Sequence, residues 1–178
     1  MNERLYLHVP SFEELDYRQK VLAQPDTMSY NRGFELGLNN YDNETGCIDF
    51  KKEYWKDWFQ RWVNNIPDRY YAYIVKSEGN IPIGEAALHY DEEKNAYCTS
   101  IIIEAQYRGN GYSEEALQLL VDIGFHDLNA EKIFDDFPKT RVSAEKAFKN
   151  VGFKRISGNI VELTREEYFN LINQDMQV

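Results

Sequence analysis

The sequence predicts one mixed α/β domain, an antiparallel meander followed by helix–strand–helix–strand around a central twisted mixed sheet. Three observations predict it. From Arg69 the apolar pattern breaks into three strand-like runs, YYAYIVK, IPIGEAALHY and AYCTSIIIE, separated by the turn compositions EGN and DEEKN. Beyond them, SEEALQLLVDIGFHDL and RVSAEKAFKNVG space apolar residues at helical intervals, with the short apolar strand EKIFDD between them. The third observation is size: 178 residues, 43% hydrophobic and including 13 Tyr and 10 Phe, suit a single packed domain. No repeat, low-complexity tract or Ser/Gly linker divides the chain.

In chain order, Arg4 to Val9 alternates as a short opening strand. In PSFEELDYRQKVL, Ser11 and Glu14 form a capping box before a helix that reaches about Ala23 and is stopped by Pro25. Residues 25–49, rich in Asn, Gly, Asp and Tyr, read as irregular or weakly helical. A segment that long in a compact domain is more often a binding loop than a spacer. FKKEYWKDWFQRWV then repeats aromatics at helical spacing: Phe50, Tyr54, Trp58 and Trp62 in one row, Trp55, Phe59 and Val63 beside it. These rows predict an aromatic face laid on the core; the alternative is that some of the rings roof an acceptor pocket. In the helix after the meander, Ala116, Leu117, Leu120, Val121, Phe125 and Leu128 face the core. Gly152 caps the next helix, FKRIS and NIVEL make a hairpin, and Thr164 with Glu167 caps a terminal helix.

Thirty acidic against 20 basic residues give a net charge of −10, with a pI near 4.8. That field repels phosphate backbones and anionic lipid, which argues against nucleic acid or a membrane as partner and favours a cationic substrate. Cys47 and Cys98 form no CxxC pair and read as buried small hydrophobes in a reducing compartment. The opening MNERLYLHVP turns polar too early for a signal peptide. No apolar run approaches the roughly 18–20 residues of a membrane span, so the expected location is the cytoplasm.

The chemistry is concentrated in IIIEAQYRGNGYSEEAL, where a strand ends at Glu104, turns sharply, and a helix begins near Tyr112 or Ser113. Gly109 and Gly111 tolerate φ > 0 and lack a Cβ, so backbone N–H groups can converge on an anion. The helix N-terminus adds orphan N–H groups and positive dipole potential, which suit a pyrophosphate, and Arg108 can add a bidentate contact. There is no third Gly for GxGxxG and no GKS or GKT for a P-loop. No HExxH, Ser–His–Asp order or His/Cys spacing points to a metal or a triad.

The order Gln106-x-Arg108-Gly109-x-Gly111 resembles the acetyl-CoA-binding signature of the GNAT N-acetyltransferase superfamily. Some forty residues on, AEKAFKNVGF is similar to the family's second cofactor motif, a helix ending in Gly-Phe at the start of a strand. The likeness covers a core of about residues 81–157; the region of about 25–66 would lie on the acceptor side. The resemblance implies a GNAT-like fold and acetyl transfer from acetyl-CoA to a primary amine by direct attack, with no metal. It implies a pyrophosphate cradle from Gln106, Arg108, Gly109, Asn110, Gly111, Tyr112 and Ser113. Backbone groups of Ile103 and Glu104 would meet the pantetheine in a splayed gap between two parallel strands. N–H groups of Ile103 to Ala105 would hold an oxyanion, and Lys146 or Lys149 would reach the adenosine phosphate. Two positions depart from the family pattern. Arg141 stands where Asn is frequent, and Phe148 occupies the cofactor-side position of a tyrosine that protonates the thiolate. Family members often pair, so a homodimer is a further expectation.

Direct attack needs a base to deprotonate an ammonium acceptor, and partly buried carboxylates can serve. Glu85 leads because an acid flanked by Gly and Ala in a central strand is out of place unless it faces a cavity; alternation puts it with Ile83, Ala87 and His89. Glu104 is second and His89 third. The acceptor would be a small cationic amine, or a peptide or protein amine. The rival readings are a non-catalytic acyl-CoA-binding or sensor module, and an interaction domain whose glycine turn binds nothing.

Overall fold

A computed structural model describes residues 4–175. Its order is β1 (Leu5–His8), α1 (Leu15–Leu22), a short α2 (Pro25–Met28), α3 (Lys52–Trp62), β2 (Arg69–Lys76), β3 (Ile81–Asp91), β4 (Ala96–Ile103), α4 (Tyr112–Asp122), β5 (Lys132–Asp136), α5 (Val142–Val151), β6 (Lys154–Ser157), β7 (Ile160–Thr164) and α6 (Arg165–Asp175). One seven-stranded sheet runs β1-β2-β3-β4-β5-β7-β6. Every pairing is antiparallel except β4 with β5, where the chain returns through α4 to run in the same direction. Among the described residues no helix is long and apolar enough to cross a membrane.

Helices cover both faces of the sheet. On one face Leu117, Leu120 and Val121 of α4, with Phe125 in the π-helical turn that continues it, pack against Leu5, Ile74, Leu88 and Ile133, as the helical spacing predicts. Gly152 takes φ 111° and caps α5. On the other face α1 and α3 close over β2–β4: Trp55 is buried beside Leu15, Leu22 and Phe50, and Val63 packs with Tyr71 and Tyr73. Tyr54 is not part of the aromatic face; its side chain is exposed.

One local expectation holds with an addition, and one is corrected. Pro25 does stop α1, but it also opens α2 at the first helical position, where its missing N–H costs nothing. After α2 and a 3-10 turn at Ser29–Asn31 the rest of the 25–49 segment is irregular, with a single bridge between Tyr41 and Ile48. On β3 the register slips opposite Ile74 and Val75, which pair with Gly84 and Pro82. The bulge turns Ile83 into the main core with Ala86 and Leu88, so Ile83 does not share the face of Glu85.

Candidate active site

The first half of the site is a wedge in the sheet. β4 and β5 pair only at Tyr97–Ile133 and Cys98–Phe134 and then separate. The Glu104 N–H donates to Ile83 O at 2.9 Å. Even-numbered residues of β4 therefore bond to β3, while Ile101 and Ile103 turn their backbone groups into the gap. Glu104 thus offers the gap no N–H, and Ile101, missed in the sequence reading, takes that place. Strict alternation counted back from Ile103 would have found it.

The glycine turn closes the open end of the wedge. Gly109 and Gly111 have φ of 81° and 78°, and a Cβ on Gly109 would meet nothing within 4 Å, so the turn faces open space. Among the described residues the N–H groups of Gly109, Asn110 and Gly111 find no backbone acceptor, and those of Tyr112 and Ser113 lie in the first turn of α4. Asn110 Nδ2 donates to Tyr107 O and Arg108 O at 3.0 and 3.2 Å, which fixes the turn. Just before β1, Arg4 donates to Asn110 O at 3.2 Å and to Glu115 at 2.8 Å, and lies over the Tyr112 ring. Arg108 does not point its guanidinium outward. It donates to Ile103 O, Asp26 O and Thr27 O at 3.1, 3.2 and 2.6 Å and straps α2 to the strand end, which corrects the expected bidentate phosphate contact. Gln106 is exposed and donates to Glu104 at 3.3 Å.

The second half is a cavity of about 220 Å³ on the opposite face, walled by α1, α3 and the 25–49 segment over β2–β4. Glu85 and Ala87 of β3 and Ser100 and Ile102 of β4 form its floor; Trp58, Trp62 and Tyr30 are among its walls. On the aromatic helix Trp55 is core, while Trp58 and Trp62 line the cavity. Glu85 is buried. It is ion-paired with Arg18, and it accepts from the Tyr71 hydroxyl at 2.6 Å. Burial, then the Glu85 charge, holds Tyr71 well above the usual phenol range, so it stays a donor. Arg18 and Tyr71 were not singled out in the sequence. A lone Arg in an amphipathic helix carries no signal of its own.

Glu104 is also buried but does not line the cavity. Tyr17 donates to it at 2.7 Å and Gln24 at 2.8 Å, fixing α1 to the end of β4. Burial, reinforced by Glu104, raises the Tyr17 pKa and keeps its hydroxyl protonated. His89 lies outside the cavity lining, edge-on to Trp62, with its pKa lowered first by burial and then by Arg69. Among the described residues no group of three His, Cys, Asp or Glu side chains converges as metal ligands would.

A wedge between two parallel strands, a glycine turn feeding a helix N-terminus at its mouth, and a cavity behind it agree with the motif order in the sequence. A family model of the acetyltransferase (GNAT) domain matches residues 4–157. The chain belongs to the GNAT acetyltransferase family. Spermidine N-acetyltransferase from Vibrio cholerae, in complex with CoA and spermine, has a TM-score of 0.72 at 16% identity, covering 95% of this chain and 100% of that one. A GNAT-family acetyltransferase from Bacillus anthracis has a TM-score of 0.68 at 17% identity, over 93% and 97% of the two chains. A nucleotide-linked sugar GNAT reaches 0.68 at 16% identity, over 98% and 94%. At these identities the likeness is one of fold. No curated protein matches the sequence.

Within this GNAT domain the remaining expected residues fall on α5. Lys146 and Lys149 are exposed. Phe148 is buried, its ring 5.0 Å from that of Phe137 and 4.8 Å from that of Phe153, and it has no proton to give. The expected oxyanion donors are reduced. The Ala105 N–H donates to Thr27 Oγ1 at 3.0 Å and that of Glu104 to β3, leaving Ile103 facing the gap.

Proposed function

We propose that the protein transfers the acetyl group of acetyl-CoA to the primary amine of a small molecule, cationic until it is deprotonated, by direct attack. The observation that carries this reading is a buried carboxylate, Glu85 of β3, facing a small cavity floored by β3 and β4, the second of which is also one wall of the wedge. The backbone fits a CoA: the open face at Gly109, the unpaired N–H groups of the turn and the first turn of α4 suit a pyrophosphate, and Ile101 suits the pantetheine amides. Bound there, acetyl-CoA supplies an activated acyl thioester. The chain's own groups supply the rest. Each Glu85 oxygen already accepts one hydrogen bond, from Arg18 or Tyr71, and keeps a second lone pair for the amine or an intervening water. A C–N bond forms as the C–S bond breaks, the amine proton passes toward Glu85, and Ile103 N–H faces the developing oxyanion. Solvent protonates the thiolate, which a thiol pKa near 8.5 permits.

Amine-dependent thiol release from acetyl-CoA, with the acceptor's mass raised by one acetyl group, tests the reading. Tight acetyl-CoA binding without thiol release would instead favour a non-catalytic acyl-CoA-binding module, the reading that Phe148 supports.

A further inference from the structure

Resting on that reading, we propose that the acceptor is a small amine that also carries a carboxylate, and that Arg18 recognises the carboxylate. Among the residues lining the cavity, the only ionised side chains are one guanidinium, Arg18, and one carboxylate, Glu85, and they neutralise each other. A zwitterionic acceptor leaves the cavity neutral. A simple ammonium leaves it one positive charge in excess, and a polyamine several, with no further carboxylate in the lining to compensate them. Size agrees, because about 220 Å³ is below the usual range for drug-sized ligands and suits a molecule as small as an amino acid.

The state of Arg18 gives the second argument. Its Nη1 is engaged by Glu85, but its buried Nε has no hydrogen-bond partner. Neutralising Glu85 explains the Nη1 contact and leaves Nε unexplained. The guanidinium is held in place rather than left to swing, lying 4.3 Å from the Trp58 ring centroid and 5.1 Å from that of Phe50. A planar guanidinium that lines the cavity, is fixed on aromatic faces and keeps Nε unpartnered has the geometry to pair with a carboxylate, which a point-charge ammonium lacks. The amino group of the same molecule is then left to Glu85 on the cavity floor.

The test is thiol release with matched pairs at one pH: L-leucine against 3-methylbutylamine, L-phenylalanine against 2-phenylethylamine, with spermidine alongside. The expected result is a kcat/KM at least about tenfold higher for the amino acid of the better pair than for its decarboxylated partner, and higher than for spermidine. Equal or better turnover of the decarboxylated amines or of spermidine overturns the proposal while leaving the acetyltransferase reading intact. No release with any of the five, with acetyl-CoA still bound, overturns both. In Arg18→Lys, which keeps a cation beside Glu85 but removes the fork, the preference should fall to about one, through KM of the amino acid. A folded Arg18→Lys protein that retains the preference removes Arg18 from the role.

Discussion

The two halves of the site are built from different materials. On the wedge side the work falls to backbone: a helix N-terminus, two glycines with positive φ and the unpaired edge of β4. Side chains there, such as Arg4, Asn110 and Arg108, hold the turn in shape. On the cavity side the backbone is an ordinary sheet, and the chemistry comes from side chains of α1, α3, β2 and β3 brought together by packing. Backbone sites need particular residues at fixed spacing and tolerate little else, whereas side-chain sites can be rebuilt wherever packing allows. A family can therefore keep one cofactor half and vary its acceptors.

The largest expected effect lies in the cavity. Glu85→Gln should lower kcat/KM by about 10²- to 10⁴-fold while leaving the affinity for acetyl-CoA, measured by calorimetry, within about twofold, since no backbone group of the wedge changes. It should also lower Tm, because Arg18 loses its buried counter-charge. Retained turnover would remove Glu85 as the base. Gly109→Val should do the converse. A β-branched residue at φ 81° is strained and covers the open face of the turn, so acetyl-CoA affinity should fall by about tenfold or more. Unchanged affinity would mean that the turn is not the phosphate site.

The contrast also explains what could be read in advance. The meander, the amphipathic α4 and the Gly152 cap are local patterns of period and backbone conformation, and the chain shows them in sequence order. The glycine turn was legible for the same reason. The pairing of Arg18 with Glu85 joins residues 67 positions apart, and nothing in the sequence around either one marks the other. Arg108 looked like a phosphate ligand because the residue type suits one; the carbonyls of Asp26 and Thr27, far away in sequence, claim it instead. Ile83 was misplaced by counting alternation through a bulge that only the partner strand reveals.

A smaller effect sharpens the wedge half. Phe148→Tyr adds a hydroxyl beside the rings of Phe137 and Phe153, where a buried donor without a partner costs about 1 kcal/mol. Tm should fall by about 2–4 °C, with acetyl-CoA affinity unchanged and kcat within about twofold of the parent. A clear rise in kcat would show that protonation of the thiolate limits the reaction.

The smallest effect compares the buried Glu85 with a half-buried carboxylate, Asp135. Asp135 sits just past the last residue of β5 that pairs with β4, accepting from Thr99 Oγ1 at 2.6 Å and from the Asp136 N–H at 2.7 Å. Unlike Glu85 it has no ion-pair partner among the described residues. Burial raises its pKa, and the hydrogen bonds and Arg141 offset this only in part. A carboxyl whose pKa is higher in the folded than in the unfolded chain binds its proton more tightly when folded. Its ionisation therefore lowers stability above the folded pKa, and the loss vanishes as pH falls below the unfolded value. Asp135→Asn should raise Tm near neutral pH by about 1–2 °C, and the gain should shrink toward acid pH. Glu85→Gln should shift Tm the other way, because its charge has a partner to lose. If Tm falls in both variants at neutral pH, the two carboxylates are held alike, and the wedge rests on side-chain charge as much as the cavity does.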